Sequence, residues 1–296
     1  MKHFDYDYLT TTEAADYLRL KERKVYDLVR QGQIPCTKAT GKLLFPRQSL
    51  DLWLMNHLVG DQQAGRDIPP IVAGSHDPLL EWALRESQSQ LATLCHGSGD
   101  GVRRVRDDEA MLAGIHLIDA ETGAYNRPEA LGLLGMKDLV ILHWAYRCQG
   151  LILPAGNPLE VTGIDCLTRN GLRVAHRQPD AGAERLLRYL LARANIDHAC
   201  LHLADHVSLS EDDLALAVRE GSADVGLGVK AVAQRHGLAF VPLHLERFDL
   251  AMRRRSFFEP AVQRLMTFVN NERFRERAET LGGYDLSRCG QVGYNA

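Results

Sequence analysis

Two rhythms of apolar residues divide this chain. In residues 11–54 the apolar positions recur at helical spacing. Ala14, Ala15 and Leu18 share one face of a short helix that Thr11 or Thr12 can cap. Val25, Leu28 and Val29 share one face of a second helix over about residues 21–31, and Gly32 follows where a helix end needs a left-handed residue. Residues 34–45 read as two short strands around Ala39-Thr40-Gly41-Lys42, and Pro46-Arg47 opens a third helix with Leu50, Trp53 and Leu54 facing inward. Residues 59–70 (VGDQQAGRDIPP) are polar, contain glycine and end in Pro-Pro, the composition of an extended linker.

Beyond the linker, short apolar runs alternate with helical stretches. Strands are predicted at 71–73, 91–95, 115–118, once or twice within 139–153, and at 172–175, 225–228 and 239–243. Helices are predicted through 79–84, from near Ser98, over 184–194 and 214–220, and in the C-terminal 260–281. Strands alternating with helices predict an α/β architecture with open sheets.

Composition narrows this picture. A chain of 296 residues, 45% hydrophobic and 25% charged, suits one small and one larger globular domain. It lacks an apolar run long enough to span a bilayer, and its first residues lack the pattern of a signal peptide, so a cytoplasmic location is expected. The six cysteines are scattered without a CxxC pair or a histidine at metal-ligand spacing, which predicts reduced thiols, no metal and no cofactor. Net charge is −3, but residues 19–47 hold eight Lys/Arg against only Glu22 and Asp27, a local charge of +6. A small basic module on an acidic body points to nucleic acid as the module's partner.

The first fifty residues keep a whole motif in register: T-x-x-E-A-A-x-x-L from Thr10, V-Y-x-L-V-x-x-G-x-I-P from Val25, Gly41-Lys42, then R-x-x-L-D-x-W-L from Arg47. This resembles the excisionase-type, MerR-like winged helix-turn-helix. The resemblance implies that residues 1–58 bind double-stranded DNA, with the second helix in the major groove and the wing on a phosphate track. Lys21, Arg23, Lys24, Tyr26, Thr40, Lys42 and Arg47 are the expected DNA contacts. A homodimer is expected, because one small head makes few contacts.

In the larger part, four stretches at strand-to-helix junctions are rich in small residues: Gly74-Ser75-His76-Asp77-Pro78, Gly97-Ser98-Gly99-Asp100-Gly101, Asp180-Ala181-Gly182-Ala183 and Gly226-Leu227-Gly228. Open α/β sheets bind ligands at the carboxyl ends of their strands, where exposed amides and the positive end of the helix dipole favour anions. His116, near a strand end, reads as a structural histidine, Asp77 before Pro78 as a helix cap, and Ser210 with Asp213 as a capping box. The run Arg253-Arg254-Arg255 reads as a solvated face, and Trp53, Trp82 and Trp144 as core.

The segments GSHDPLLEWAL, LCHGSGDGVRRV, AGIHLIDAETGAYN, RCQGLILPAGNP, RQPDAGAERLL and REGSADVGLGVKAVAQRHGLAFVPLHLERFDL resemble the cytoplasmic, PBP-like domains of the type II periplasmic-binding-protein fold. They are similar to molybdate- and tungstate-binding proteins, except that Ala181 and Ala183 stand where those carry hydroxyl residues. The resemblance implies a two-lobed domain over 71–296, with lobe one at about 71–155 and 246–296 and lobe two at about 156–245. Crossings are implied near 153–157 and 243–249. It implies a small anion in the cleft: a molybdate- or tungstate-type oxyanion, a small carboxylate or a molybdenum-cofactor-related compound. The implied ligand residues are Ser75, His76, Ser98, Asn126, Arg177, Gly182 and Arg185.

No P-loop, GxSxG or HExxH motif is present, so no catalytic residues are assigned. The chain is expected to be a one-component transcription regulator. An excisionase-like architectural DNA-binding protein and an enzyme on a binding-protein-like fold are the alternatives.

Overall fold

The structure, a computed structural model, describes residues 7–38, 41–56, 68–133 and 135–296. The chain separates into two compact units, Met1–Arg66 and Asp67–Ala296. The linker expected at 59–70 falls mostly outside the described residues.

In the first unit, β1 (Tyr8–Leu9) pairs antiparallel with β2 (Phe45–Pro46), bracketing α1 (Thr11–Leu18) and α2 (Glu22–Arg30), and α3 (Arg47–Asn56) follows. The cap of α1 is Thr10, not Thr11 or Thr12. Its hydroxyl accepts the Glu13 amide while the Glu13 carboxylate takes the Thr10 amide at 2.8 Å, a reciprocal capping box. Gly32 takes the expected left-handed conformation after α2, with φ +66°. Thr37 bridges Leu44 at the base of the wing; Ala39 and Thr40 lie outside the described residues. The apolar stripes meet, except at Leu54, which is exposed rather than inward as expected: Ala14, Ala15, Val25, Leu28 and Leu50 form one small core with Leu9, Ile34 and Phe45. Trp53 packs against its edge, and its indole donates to the Gln33 carbonyl.

The second unit is α/β and two-lobed. It contains β3 (Ile71–Gly74), α4 (Pro78–Glu86), β4 (Ala92–Leu94), α5 (Ser98–Arg106), β5 (Leu112–Ile115), β6 (Leu139–Leu153) and β7 (Arg173–Arg177). There follow α6 (Gly182–Arg193), β8 (His202–Ser208), α7 (Glu211–Arg219), β9 (Val225–Val229), α8 (Lys230–Arg235) and β10 (Ala239–Arg253). The chain closes with α9 (Arg254–Phe257), α10 (Pro260–Phe268), α11 (Glu272–Leu281), β11 (Tyr284–Asp285) and β12 (Val292–Asn295). The strands lie in the order β4-β3-β5-β10-β6-β9-β7-β8, with β11 and β12 also on β6.

The two 15-residue strands β6 and β10 pair antiparallel along their whole length and belong to both lobes. At one end β10 carries β5, and at the other β6 carries β9. Register shifts fall between Pro242 and His244 and between Phe248 and Asp249, near the passage from lobe to lobe. β10 thus runs ten residues past the predicted 239–243, because its charged inner residues are paired rather than solvated.

The strand predicted at 115–118 is instead Leu112–Ile115. Residues 110–118 are all buried, so apolarity marks no end, and pairing with β3 and β10 sets the limits. Gly226 and Gly228 lie inside β9 rather than at a junction. A Cβ on Gly226 would stand 2.6 Å from the Leu214 side chain, so that glycine lets α7 press onto the sheet. In the Arg253–Arg255 run, Arg253 is tied to Asp108 and Asp138 and Arg255 to Asp108 at 3.3 Å, while the exposed Arg254 bonds Asn295. Trp144 is buried core, edge-on to Phe274 at 5.2 Å, and Trp82 is partly buried against Phe268 at 5.5 Å.

Candidate functional site

In the first unit α2 buries Val25 and Leu28 and turns Lys21, Arg23, Lys24 and Tyr26 outward, all exposed. Lys42 at the wing and Arg47 at the start of α3 are exposed as well, Arg47 lying over the Tyr17 ring at 5.9 Å. No ion pair among the described residues engages Lys21, Arg23, Lys24 or Lys42. One face of α2 therefore holds the fold, and the other offers unneutralised cations.

In the second unit a polar cavity of about 30 Å³ lies between the lobes. Ser75, His76, Cys95, Gly97 and His116 line it from lobe one; Arg177, Ala181, Gly182, Ala183, Leu209, Ser210 and Glu211 line it from lobe two. Three helices begin on it: α5 after Gly97, α6 after Ala181 and α7 after Ser210. Ser210 forms the expected capping box with Asp213. Among the described residues no side chain caps α6, and no outside carbonyl takes the amides of Gly182 and Ala183, which intrahelical bonds cannot satisfy. The alanines remove two hydroxyls from this rim but leave its main-chain donors aimed at the cavity end of the helix.

Arg177 adds a cation. Its Nε donates to the Ser208 carbonyl at 3.0 Å and one Nη2 hydrogen to the Leu209 carbonyl at 3.0 Å, while Nη1 has no protein acceptor among the described residues. Burial lowers its pKa from the usual arginine value, against the opposing pull of Glu211, Asp213 and Glu184. Burial also pushes the Cys95 thiol up to about 11, with Glu81 and Asp77 adding to it, so the thiol stays protonated.

Under the cavity floor runs a continuous polar chain. Ser75 Oγ lies 2.8 Å from Ser98 Oγ and 3.0 Å from His116 Nε2, and Ser98 Oγ accepts the His116 amide at 3.1 Å. His116 Nδ1 meets Glu246 at 2.8 Å. Glu246 also accepts from Arg147 Nε at 2.7 Å and Gln149 Nε2 at 3.0 Å, and Arg147 Nη1 reaches Asp77 at 3.0 Å. Tyr284 and the Trp144 indole donate to the same Asp77, which also caps α4. Burial alone would raise Glu246, but Arg147 and His116 outweigh it and bring the carboxyl down to about 2. Glu246 and Arg147 are cross-strand partners on β10 and β6, so this chain leads from the cavity to the strands the lobes share.

Close packing holds the site's backbone. Gly74 has φ +94°, and a Cβ there would sit 2.2 Å from the Gly114 carbonyl oxygen. Gly182 lies flat on the His116 ring: its added Cβ would stand 2.5 Å from the ring carbon Cε1.

Of the expected ligand residues, Ser75, His76, Arg177 and Gly182 meet at the cavity, and Ser98 supports Ser75 from just beneath it. The ring of His76 is also held by Glu81 at 2.9 Å. Two residues do not come to the cavity. Asn126 is buried elsewhere, its amide spent on Leu117, Ile115 and Asp249, where it pins the loop after β5. Arg185, on the first turn of α6, is exposed and does not line the cavity. Sequence reasoning passed over His116 as a binding residue, and Glu246 and Arg147 altogether. The available signal was a histidine beside, and two charges within, stretches predicted or found as strands.

Two lobes around a cleft lined by helix starts define a type II binding-protein-like domain, here joined to a helix-turn-helix. Residues 81–270 match the family model described as a PBP superfamily domain, and the chain belongs to that family. Residues 8–57 match a helix-turn-helix domain. Among curated relatives, the chain is 24% identical over 301 residues to the uncharacterized protein YvgK of Bacillus subtilis (strain 168), covering 96% of each chain. It is 34% identical over 80 residues to an uncharacterized protein in the ferredoxin 2Fe-2S gene 5' region of Clostridium pasteurianum, covering 27% of this chain and 71% of that one. Among solved structures, it is similar to a substrate-binding protein of Clostridium perfringens assigned to phosphate ABC transport and solved with bound phosphate. That match has TM-score 0.53 at 12% identity, covering 71% of this chain and 96% of that one. It is also similar to the sulfate-binding protein SubI of Mycobacterium tuberculosis H37Rv, with TM-score 0.50 at 16% identity, covering 72% and 85%. These likenesses concern the fold. Among the described residues, no helix is long and apolar enough to cross a membrane, and no cluster of His, Cys, Asp and Glu is arranged to hold a metal.

Proposed function

We propose that the chain is a ligand-responsive, cytoplasmic transcription regulator that binds DNA as a homodimer and senses a small oxyanion in the interlobe cavity. The observation that carries the reading is the cavity itself: three helix starts, uncapped amides at Gly182 and Ala183, and a spare Arg177 nitrogen around about 30 Å³. That volume is an order of magnitude below the roughly 300 Å³ at which drug-sized ligand pockets begin. It suits a compact tetrahedral anion of the phosphate, sulfate, molybdate or tungstate class better than an amino acid or a cofactor fragment. Ligand-driven closure of the lobes would bias the DNA-bound geometry. On this reading Lys21, Arg23, Lys24, Tyr26, Thr40, Lys42 and Arg47 contact DNA, and Ser75, His76, Ser98, Arg177 and Gly182 serve the anion site.

The test is a thermal-shift titration of the full chain with phosphate, sulfate, molybdate, tungstate and small carboxylates. A ligand at a hundred times its Kd adds about 2.7 kcal/mol of stability. Flat melting curves with every oxyanion would refute the sensor. A second reading, an acyl-transfer enzyme, is favoured by one observation: Ser75, His116 and Glu246 stand in the order nucleophile, base and orienting carboxylate. Covalent labelling of Ser75 by a fluorophosphonate, lost on His116→Ala, would establish it; an unlabelled Ser75 would exclude it.

A further inference from the structure

The hydrogen bonds around the cavity dictate where protons sit. Glu246, fully buried, accepts from Arg147, Gln149 and His116, and a carboxylate with so many donors is ionised. An ionised carboxylate can only accept, so His116 Nδ1 carries the hydrogen of that 2.8 Å bond. While the ring is neutral, Nε2 is then a lone pair, and the 3.0 Å contact must be the Ser75 hydroxyl donating to it. Ser75 has no second proton, so the 2.8 Å bond beside it runs from the Ser98 hydroxyl to Ser75 Oγ. Ser98 Oγ meanwhile accepts the His116 amide. Both hydroxyl protons are consumed inside the protein. Toward the cavity Ser75 presents a lone pair, which repels the oxygens of an anion.

A proton added to Nε2 reverses the chain. The ring then donates to Ser75 Oγ, and the Ser75 proton is released toward the cavity. The imidazolium also sets a positive charge directly against Gly182, at the start of α6. One proton thus supplies both a hydroxyl donor and a charge.

We propose that the cavity binds its oxyanion together with one proton, held on His116 Nε2. The proposal rests on the anion-binding reading above. The charged and titratable groups around the ring are Glu246 of β10 and Arg147 of β6 behind it. Across the cavity stand Arg177 of β7, Glu211 of α7 and His76 from the loop before α4. His76, the other histidine on the cavity, is the natural control.

The experiment is calorimetry of the full chain with sulfate, molybdate and tungstate between about pH 6 and 8, in two buffers of different ionisation enthalpy. These anions are fully ionised there, so any proton taken up on binding goes to the protein. The expected result is uptake approaching one proton per anion at the alkaline end, with affinity falling about tenfold per pH unit. His116→Gln, whose amide is a permanent donor, should bind with no proton uptake and little pH dependence, whereas His76→Gln, whatever its affinity, should keep the parent's proton uptake per anion bound. Binding without proton uptake, or uptake that survives His116→Gln, would overturn the proposal alone. No heat with any of the three anions would overturn both the proposal and the reading it rests on. Nitrogen NMR of the ligand-free ring is independent of any ligand: a neutral ring protonated at Nδ1 supports the proton order, and one protonated at Nε2 overturns it.

Discussion

Gly182→Ala isolates the closure step from the chemistry of the site. The new methyl would stand 2.5 Å from His116 Cε1 and 2.7 Å from each ring nitrogen, about 1 Å inside ordinary contact. The ring cannot yield. Glu246 and Ser75 hold its two nitrogens, and Phe248 stacks beneath it at 5.7 Å. Lobe two must instead stop short of full closure by a comparable distance, and overpacking of this kind costs about 1–3 kcal/mol. Because an open cleft avoids the contact, the cost falls on the closed, liganded state. The expected outcome is a loss of oxyanion affinity of about 5- to 150-fold, with the melting temperature of the ligand-free protein nearly unchanged. Calorimetry and thermal shift on parent and variant, with the most stabilising oxyanion, measure both quantities. Unchanged affinity would refute the inference that Gly182 must seat on His116 for the ligand to be enclosed.

Other outcomes follow from the same geometry. Reversing charge at Lys21, Lys24 and Lys42 should abolish specific DNA binding, and single reversals should each flatten the salt dependence measured by fluorescence anisotropy by about one counterion. Arg147→Met leaves Asp77 and Glu246 buried without their cation and should cost about 3–5 kcal/mol in urea denaturation, with the first unit unaffected. Glu246 is held below the usual glutamate range, so its stabilising effect is complete above about pH 4.5 and is lost as pH falls toward about 2. Glu246→Gln should therefore lower stability at neutral pH and flatten the acid side of the pH–stability curve, read by circular dichroism.

The legible parts of this molecule were those set by local spacing. The stripes Ala14-Ala15 and Val25-Leu28 and the left-handed Gly32 follow from neighbours within a few residues, and the first unit follows from them. Small residues after β3 and at the starts of α5 and α6 marked Ser75, Ser98 and Gly182 for the same reason. What was not legible depends on distant pairing. His116 and Glu246 lie 130 positions apart, and neither reveals that the other completes its hydrogen bonding. The segment His244–Asp249 carries charges that argue against a buried strand until Arg147, His116 and Asn126 are seen to meet them. Arg185 failed for a local reason of another kind: the motif supplied its position, but the phase of α6 turned it outward.

The long shared strands bear on how such a protein can change its specificity. Most of lobe two is a single insertion: the chain between Leu153 at the end of β6 and Ala239 at the start of β10 builds it, together with the adjoining ends of the two strands the lobes share. Residues 154–238 can therefore be exchanged as one cassette, provided the ends of β6 and β10 keep their register. The lining residues Arg177, Gly182 and Glu211 would travel with the cassette, whereas Ser75, His116, Glu246 and the helix-turn-helix module would stay behind. A new chemical input could in this way be wired to an unchanged genetic output.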